Sequence, residues 1–222
     1  MITQKPWSHS ALSAYETCGR QYYLTKVSKE VYEPPSDAIN WGRTAHEALQ
    51  RRLDLNQPLP ESLGYCEPLC KLLTRQQGKL IVEEKLAINA SFSKVKWMAK
   101  DVWCRSVIDV GVIGTRTAVV ADWKTGKRKP ESDQLELFAG VVMACYPYLE
   151  EVHTAFIWLP DRKVDSEKFT RAQVQDVWNN FLPRVLRYQE AHISNKWQPK
   201  PSGLCKKWCP VSQRHCEFSG RT

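Results

Sequence analysis

The sequence predicts an α/β protein with a mixed central β-sheet and flanking helices. Helical spacing of apolar residues dominates the chain as far as Gln77, and from Lys79 onward the pattern alternates residue by residue. Two later runs, Ser106–Ile113 and Thr117–Lys124, are apolar on both faces, which is the pattern of central strands. Helical and strand patterns then take turns to about residue 192.

Each element has its own signal. Residues 8–26 read as a helix: Ser8 or Ser10 can cap it, and Leu12, Tyr15, Gly19 and Tyr22 share a face. The Pro34-Pro35-Ser36-Asp37 turn precedes a second helix over 38–54, whose inner stripe is Ile39, Gly42, His46, Leu49 and Leu53. A third helix over 60–77 enters through Pro60-Glu61, with Leu63, Leu69, Leu72 and Leu73 inside. Leu80, Val82, Leu86 and Ile88 lie on one strand face with Glu84 among them, and residues 95–103 suggest a second strand. After 106–113 the Gly114-Thr115-Arg116 turn leads to 117–124, and the Gly126–Pro130 loop leads to a helix over 132–147. Strands at 151–159 and 164–169 flank the Pro160–Lys163 turn, and a long amphipathic helix spans 171–192. From Trp197 the chain is rich in Pro, Lys and Cys and has no periodicity.

Composition narrows the function. A chain of 222 residues that is 42 % hydrophobic and 25 % charged can bury a sizeable core, so disordered and coiled-coil readings are excluded. No apolar run reaches the roughly 18 residues of a membrane span, and the first residues lack the order of a secretory signal, so the expected location is the cytoplasm. The net charge of +8 and a pI near 9.1 point to a polyanionic partner. Eight cysteines are too sparse for a secreted disulfide scaffold, and in a reducing compartment a spaced cluster of them favours a metal.

The acids carry the chemistry. Asp109, Asp122 and Glu84 fall on strand faces that are otherwise apolar, where an unpaired carboxylate costs several kcal/mol. Lys124 follows Asp122 by two residues and therefore shares its face. A magnesium or manganese ion would relieve the cost, since hard oxygen ligands suit both. Two other acid-x-lysine triplets compete. Asp161-Arg162-Lys163 lies in a polar turn, and Glu83-Glu84-Lys85 puts Glu83 and Lys85 on the more polar face of their strand.

Taken in order, these residues resemble the RecB-like branch of the PD-(D/E)xK nuclease superfamily, and within it the CRISPR-associated and phage-encoded exonucleases. Ser10–Leu24, containing Tyr15, Cys18, Arg20, Tyr22 and Tyr23, is similar to the family's opening helix with its first cluster cysteine. Gly42-Arg-Thr-Ala-His46 resembles the helix that supplies a histidine ligand, and Ile108-Asp109 and Ala121-Asp122-Trp123-Lys124-Thr125-Gly126 resemble the two acidic motifs. Gln134-Leu-Glu-Leu-Phe138 is similar to the QxxxY motif, with Phe138 in place of the tyrosine.

The resemblance implies a restriction-endonuclease-like core and hydrolysis of DNA, most simply by an exonuclease of recombination, repair or phage DNA processing in a bacterial or phage-infected cell. His46, Asp109, Asp122 and the Trp123 carbonyl would hold Mg2+ or Mn2+. Lys124 would act on the attacking water, Gln134 would position Lys124 or touch DNA, and Glu84 would reach a second ion or a water.

Cys205, Cys209 and Cys216, with spacing C-x3-C-x6-C, together with distant Cys18, resemble the family's four ligands to a 4Fe-4S cluster. The spacing is longer than the family's usual loops, which leaves Zn2+ as the alternative. The implied organisation is a single nuclease domain over 1–222, with cluster-binding segments at 1–30 and 197–222 and a core at 36–195.

Lys127, Arg128 and Lys129 continue outward from the proposed site, and Arg20, Lys206 and Lys207 would extend the same DNA path. Trp41 and Trp208 are candidate base-stacking residues. No phosphate-binding loop is present, so unwinding would fall to a helicase or recombination partner; the oligomeric state is open. Competing readings are a structure-specific endonuclease of the same fold, a non-catalytic iron–sulfur DNA-binding subunit and a zinc interaction module.

Overall fold

The computed structural model describes residues 5–129 and 133–221. In chain order the regular elements are α1 (His9–Thr17), α2 (Gly19–Tyr22), α3 (Asp37–Leu55), α4 (Glu67–Arg75), β1 (Lys79–Ile88), β2 (Cys104–Ile113), β3 (Thr117–Lys124), α5 (Gln134–Cys145), β4 (Glu151–Trp158), β5 (Lys163–Thr170) and α6 (Val174–Ser194). The chain divides into two compact units, one of residues 1–34 and 180–222 and the other of residues 35–179.

The second unit is the mixed sheet with its helices. Strand order is β1-β2-β3-β4-β5; every neighbouring pair is antiparallel except β3 and β4, which are parallel and joined through α5. Ala45, Leu49 and Leu53 of α3 and Cys70 and Leu73 of α4 bury against Val110, Val112, Ala121, Trp123, Ala155 and Ile157 of the sheet. α5 is buried almost all round, as expected of a helix that is apolar on every face. It packs on β4, β1, β5 and β2.

Several local expectations need correction. The first helix breaks at Cys18, whose backbone is extended (φ −165°, ψ 113°), and resumes as α2 and one π-helical turn over Tyr23–Val27. The third begins as a 3-10 segment, Glu61–Cys66, and leaves Leu72 exposed. Ile39 of α3, expected inside, is also exposed. Residues 95–103 form turns instead of a strand. The Asn89 side chain accepts hydrogen bonds from the Ser91 and Ser93 amides, which is turn chemistry competing with a ladder, and Phe92 (φ 56°) stacks on Trp178 at 4.6 Å. The expected start of the 132–147 helix lies outside the described residues.

The unit of residues 1–34 and 180–222 is held by aromatic packing. The Tyr22 and Tyr188 hydroxyls share a buried 2.8 Å hydrogen bond, Trp197 stacks on Tyr23 and Trp7 on Phe181, and Arg184 pairs with both oxygens of Glu16. The Arg20 amide donates to the Gln198 carbonyl, which lays the C-terminal tail beside Cys18.

Candidate metal centre

The centre forms where strand pairing fails. The β2–β3 ladder runs from Ile113–Ala118 to Val110–Ala121, and the next facing positions, Asp109 and Asp122, are not paired. On the other side of β2, Val82 pairs with Val110 and Glu84 with Ile108, and the intervening pair, Glu83 and Asp109, is skipped. Glu83 has φ 47°, in the left-handed region that a glutamate adopts only at a cost. That twist breaks the strand's alternation, so its carboxylate comes within 3.9 Å of His46 Nδ1.

His46 is placed by α3. Its Nε2 lies 2.8 Å from the Trp123 carbonyl oxygen, so the ring proton sits there and donates. Nδ1 then turns its lone pair toward Asp109 Oδ2 at 3.4 Å as well as toward Glu83. A lone pair facing two carboxylates is stable only with a cation or a proton between them. The ligand atoms of His46, Glu83 and Asp109 all lie within 4.8 Å of one another. Close approach of α3 to the end of β3 makes this possible: a Cβ on Gly42 would stand 3.0 Å from Thr125 Oγ1.

Asp109 and Asp122 are 8 % and 7 % exposed. Asp109 Oδ2 accepts from the Trp123 amide at 2.9 Å. Burial first, and then the charge of Asp122, push the Asp109 carboxyl well above the usual carboxylate range, and burial raises Glu83 as well. Asp122, Lys124 and Gln134 close a triangle: Lys124 Nζ lies 2.8 Å from Asp122 Oδ2 and donates to Gln134 Oε1 at 2.8 Å, while Gln134 Nε2 donates to Asp122 Oδ1 at 2.9 Å. The ammonium also sits over the Phe156 ring at 4.5 Å. With Asp109, Asp122 and Glu83 all ionised, three carboxylates against the one ammonium of Lys124 would put two excess negative charges in a part-buried cleft; the raised Asp109 and Glu83 carboxyls express that cost, and a divalent cation would relieve it.

The structure thus brings His46, Asp109, Asp122, Trp123, Lys124 and Gln134 together. It adds Glu83, which strand alternation had set aside; a left-handed residue inside a strand has no sequence signal of the kind that glycine would give. Glu84 is not brought to the cluster: its charge is felt instead by Tyr146 and Cys145 at the end of α5. Lys127, Arg128 and Lys129 are all exposed, but Arg128 is tied through Nε and Nη2 to Asp165, which also accepts from Trp158 Nε1 at 2.7 Å. Phe138 is buried.

In the other unit, Cys18, Cys205, Cys209 and Cys216 line one pocket together with Arg20 and Lys200. None forms a disulfide and all four are half-buried. Burial raises the Cys209 thiol, and the other three cysteines add to that rise, which puts all four within electrostatic reach. The Lys200 and Ser202 amides donate to the sulfurs of Cys18 and Cys205 at 3.4 and 3.3 Å. Arg20 Nε donates to the Trp197 carbonyl.

Residues 6–111, a little under half of the chain, match the family model of the PD-(D/E)XK nuclease superfamily. That stretch contains His46, Glu83 and Asp109 and supports a nuclease-superfamily domain in this chain. No curated protein matches the sequence. Among solved structures, the chain is similar to a "Putative exonuclease" from Eubacterium rectale, with 12 % identity, a TM-score of 0.53 and coverage of 95 % of this chain and 88 % of that one. It is also similar to the structure of SSO0001, with 14 % identity, a TM-score of 0.45 and coverage of 95 % and 85 %. At such identity the Eubacterium likeness speaks for the fold, a five-stranded mixed sheet flanked by helices of the restriction-endonuclease-like kind.

Proposed function

We propose that this chain is a divalent-metal-dependent deoxyribonuclease of the RecB-like branch, acting as an exonuclease in recombination, repair or phage DNA processing. The observation that carries the reading is the gathering of ligand atoms of His46, Glu83 and Asp109 within 4.8 Å of one another, with Asp122 close enough to raise Asp109, beside an ammonium held in place by Asp122 and Gln134. His46, Glu83, Asp109 and Asp122 would hold Mg2+ or Mn2+, and the Trp123 carbonyl, which already accepts from His46, keeps a second lone pair for it. The ion supplies Lewis-acid stabilisation of the charge that builds on the phosphate.

The chain's own groups do the rest. Lys124 Nζ, fixed by two oxygen partners, keeps a hydrogen to offer to the attacking water or to a phosphoryl oxygen. Gln134 cannot titrate, so it holds Lys124 and Asp122 in register at any pH. Hydrolysis adds water across the P–O bond, and the departing sugar oxygen takes a proton. Of the three exposed cations that follow Lys124, Arg128 is paired with Asp165, and the DNA strand is assigned to the side of Lys127 and Lys129. Cleavage of linear DNA but not of covalently closed circles, with Mg2+ or Mn2+ and not with EDTA, is expected. Cleavage of closed circles would favour the endonuclease of the same fold, and no cleavage at all would favour a DNA-binding subunit.

The cysteine pocket fits a polynuclear cluster better than a single ion. A zinc ion with Zn–S bonds of about 2.3 Å draws its four sulfurs to within about 4 Å of one another. Among the described residues, no three of these cysteine sulfurs lie within 4.8 Å of one another. A 4Fe-4S cluster held by Cys18, Cys205, Cys209 and Cys216 would tie the chain's two ends, with the two amide donors on sulfur lowering the charge on the thiolates. Iron and acid-labile sulfide in protein purified without oxygen are expected; zinc alone would reverse the assignment.

A further inference from the structure

The cysteine-bearing tail presents apolar surface that the proposed chemistry leaves unused. Trp208 is 72 % exposed, with Leu204 at 54 % and Phe218 at 42 %, whereas most of the other tryptophans of the described chain are buried or partly covered. The platform beneath Trp208 is braced. The Trp208 and Cys209 amides both donate to the Leu204 carbonyl, Gly220 N donates to the Cys205 carbonyl, and Gln213 N donates to the Arg221 carbonyl. The fit at Gly220 is tight, because a Cβ there would stand 2.4 Å from the Lys206 carbonyl oxygen. An exposed indole on a braced turn is a presented surface, since a flexible end would gain more by folding the ring inward.

The charge of this segment is predominantly positive. Residues 196–221 contain Lys196, Lys200, Lys206, Lys207, Arg214 and Arg221 against the single acid Glu217. Lys206 and Lys207 are exposed and directly precede Trp208 in the chain. An exposed aromatic ring that follows two exposed lysines in the chain matches a strand of nucleic acid whose bases are unstacked: the ring meets a base face and the ammonium groups meet phosphates. A duplex offers no base face except at an end.

Resting on the reading of this chain as a DNA enzyme, we infer that the turn bearing Trp208 is a second contact for single-stranded DNA, in the unit that does not contain the metal-centre residues. Trp208 stacks on one base, and Lys206 and Lys207 neutralise the flanking phosphates.

The test measures binding of a labelled single-stranded oligonucleotide by fluorescence anisotropy in the cleavage-deficient Asp122→Ala background, with and without further changes at the turn. Trp208→Ala should weaken binding about 5- to 150-fold. Trp208→Phe should retain most of the affinity. Changing Lys206 and Lys207 together to Ala should reduce the salt slope of log K by about 1.4. Iron and zinc content and melting temperature serve as controls that the cysteine pocket survives each change.

Affinity within twofold of the parent for Trp208→Ala overturns the inference, as does an unchanged salt slope in the double lysine variant. The lysine arm decides alone if Trp208→Ala loses its metal. Trp208-dependent binding by a wild type that never cleaves would sink the nuclease reading and keep this contact. Cleavage by a wild type whose binding ignores Trp208 would sink only the contact.

Discussion

Asp109 is the residue on which the most constraints converge. It is buried, faces His46 Nδ1, stands opposite Glu83 and near Asp122, and has one amide donor. Its carboxyl is raised in the folded chain, so between the ordinary carboxylate range and that raised value the native state binds more protons than the unfolded one. Stability of the metal-free protein therefore falls as pH rises through that interval. Replacing Asp109 with Asn removes the titration: the metal-free variant is expected to melt at a higher temperature than wild type at pH 8 and at a nearly equal one at pH 4, while cleavage falls by a factor of about 10^3 or more. Thermal scans at the two pH values check the sign, and a variant less stable than wild type at pH 8 would contradict it.

At this scale the sequence was legible wherever alternation held. Asp122 and Lys124 share a face because β3 is regular, and Gln134 opens the next helix. Glu83 was not legible, because its left-handed backbone is set by the skipped pair with Asp109 and not by its own residue type. Arg128 reads as a free cation in sequence because its partner, Asp165, lies on another strand.

At the level of elements, the approach of α3 to β3 is what puts a histidine beside two strands of acids. Gly42 is the contact point. Gly42→Ala must push Thr125 or the helix by a few tenths of an ångström, and Mn2+ affinity is expected to drop about tenfold with the circular dichroism unchanged. Adding Thr125→Ala, which removes the Oγ1, should restore most of the loss, a rescue that a general loss of stability would not show. The order of strands and helices was readable from period and turn residues. The excursion over 89–103 was not, because Asn89 capping a turn and Phe92 stacking on Trp178 outweigh a short alternating run.

For the whole molecule, the cysteines join segments that lie almost the full chain length apart, and the helix that carries Cys18 breaks at that residue. Cluster binding would then contribute to the folding of residues 1–34 and 180–222. On the proposed cluster assignment, Cys209→Ser should bind no iron and melt about 10 °C lower than wild type, visible as early loss of near-ultraviolet signal from the Tyr22, Tyr188 and Trp197 cluster. Iron content by mass spectrometry and a near-ultraviolet melt check both. That the cysteines form one pocket was suggested by resemblance and not by spacing, since no periodicity links Cys18 to the tail.

The central claim is that His46, Glu83, Asp109 and Asp122 form a seat for a divalent cation. Titration of Mn2+ into the protein, read by electron paramagnetic resonance of the free ion, tests it without any substrate. Saturable binding by the wild type, abolished in Asp109→Asn and weakened at least tenfold in His46→Ala and Glu83→Gln, is the expected result. Equal Mn2+ binding by wild type and all three variants would contradict it.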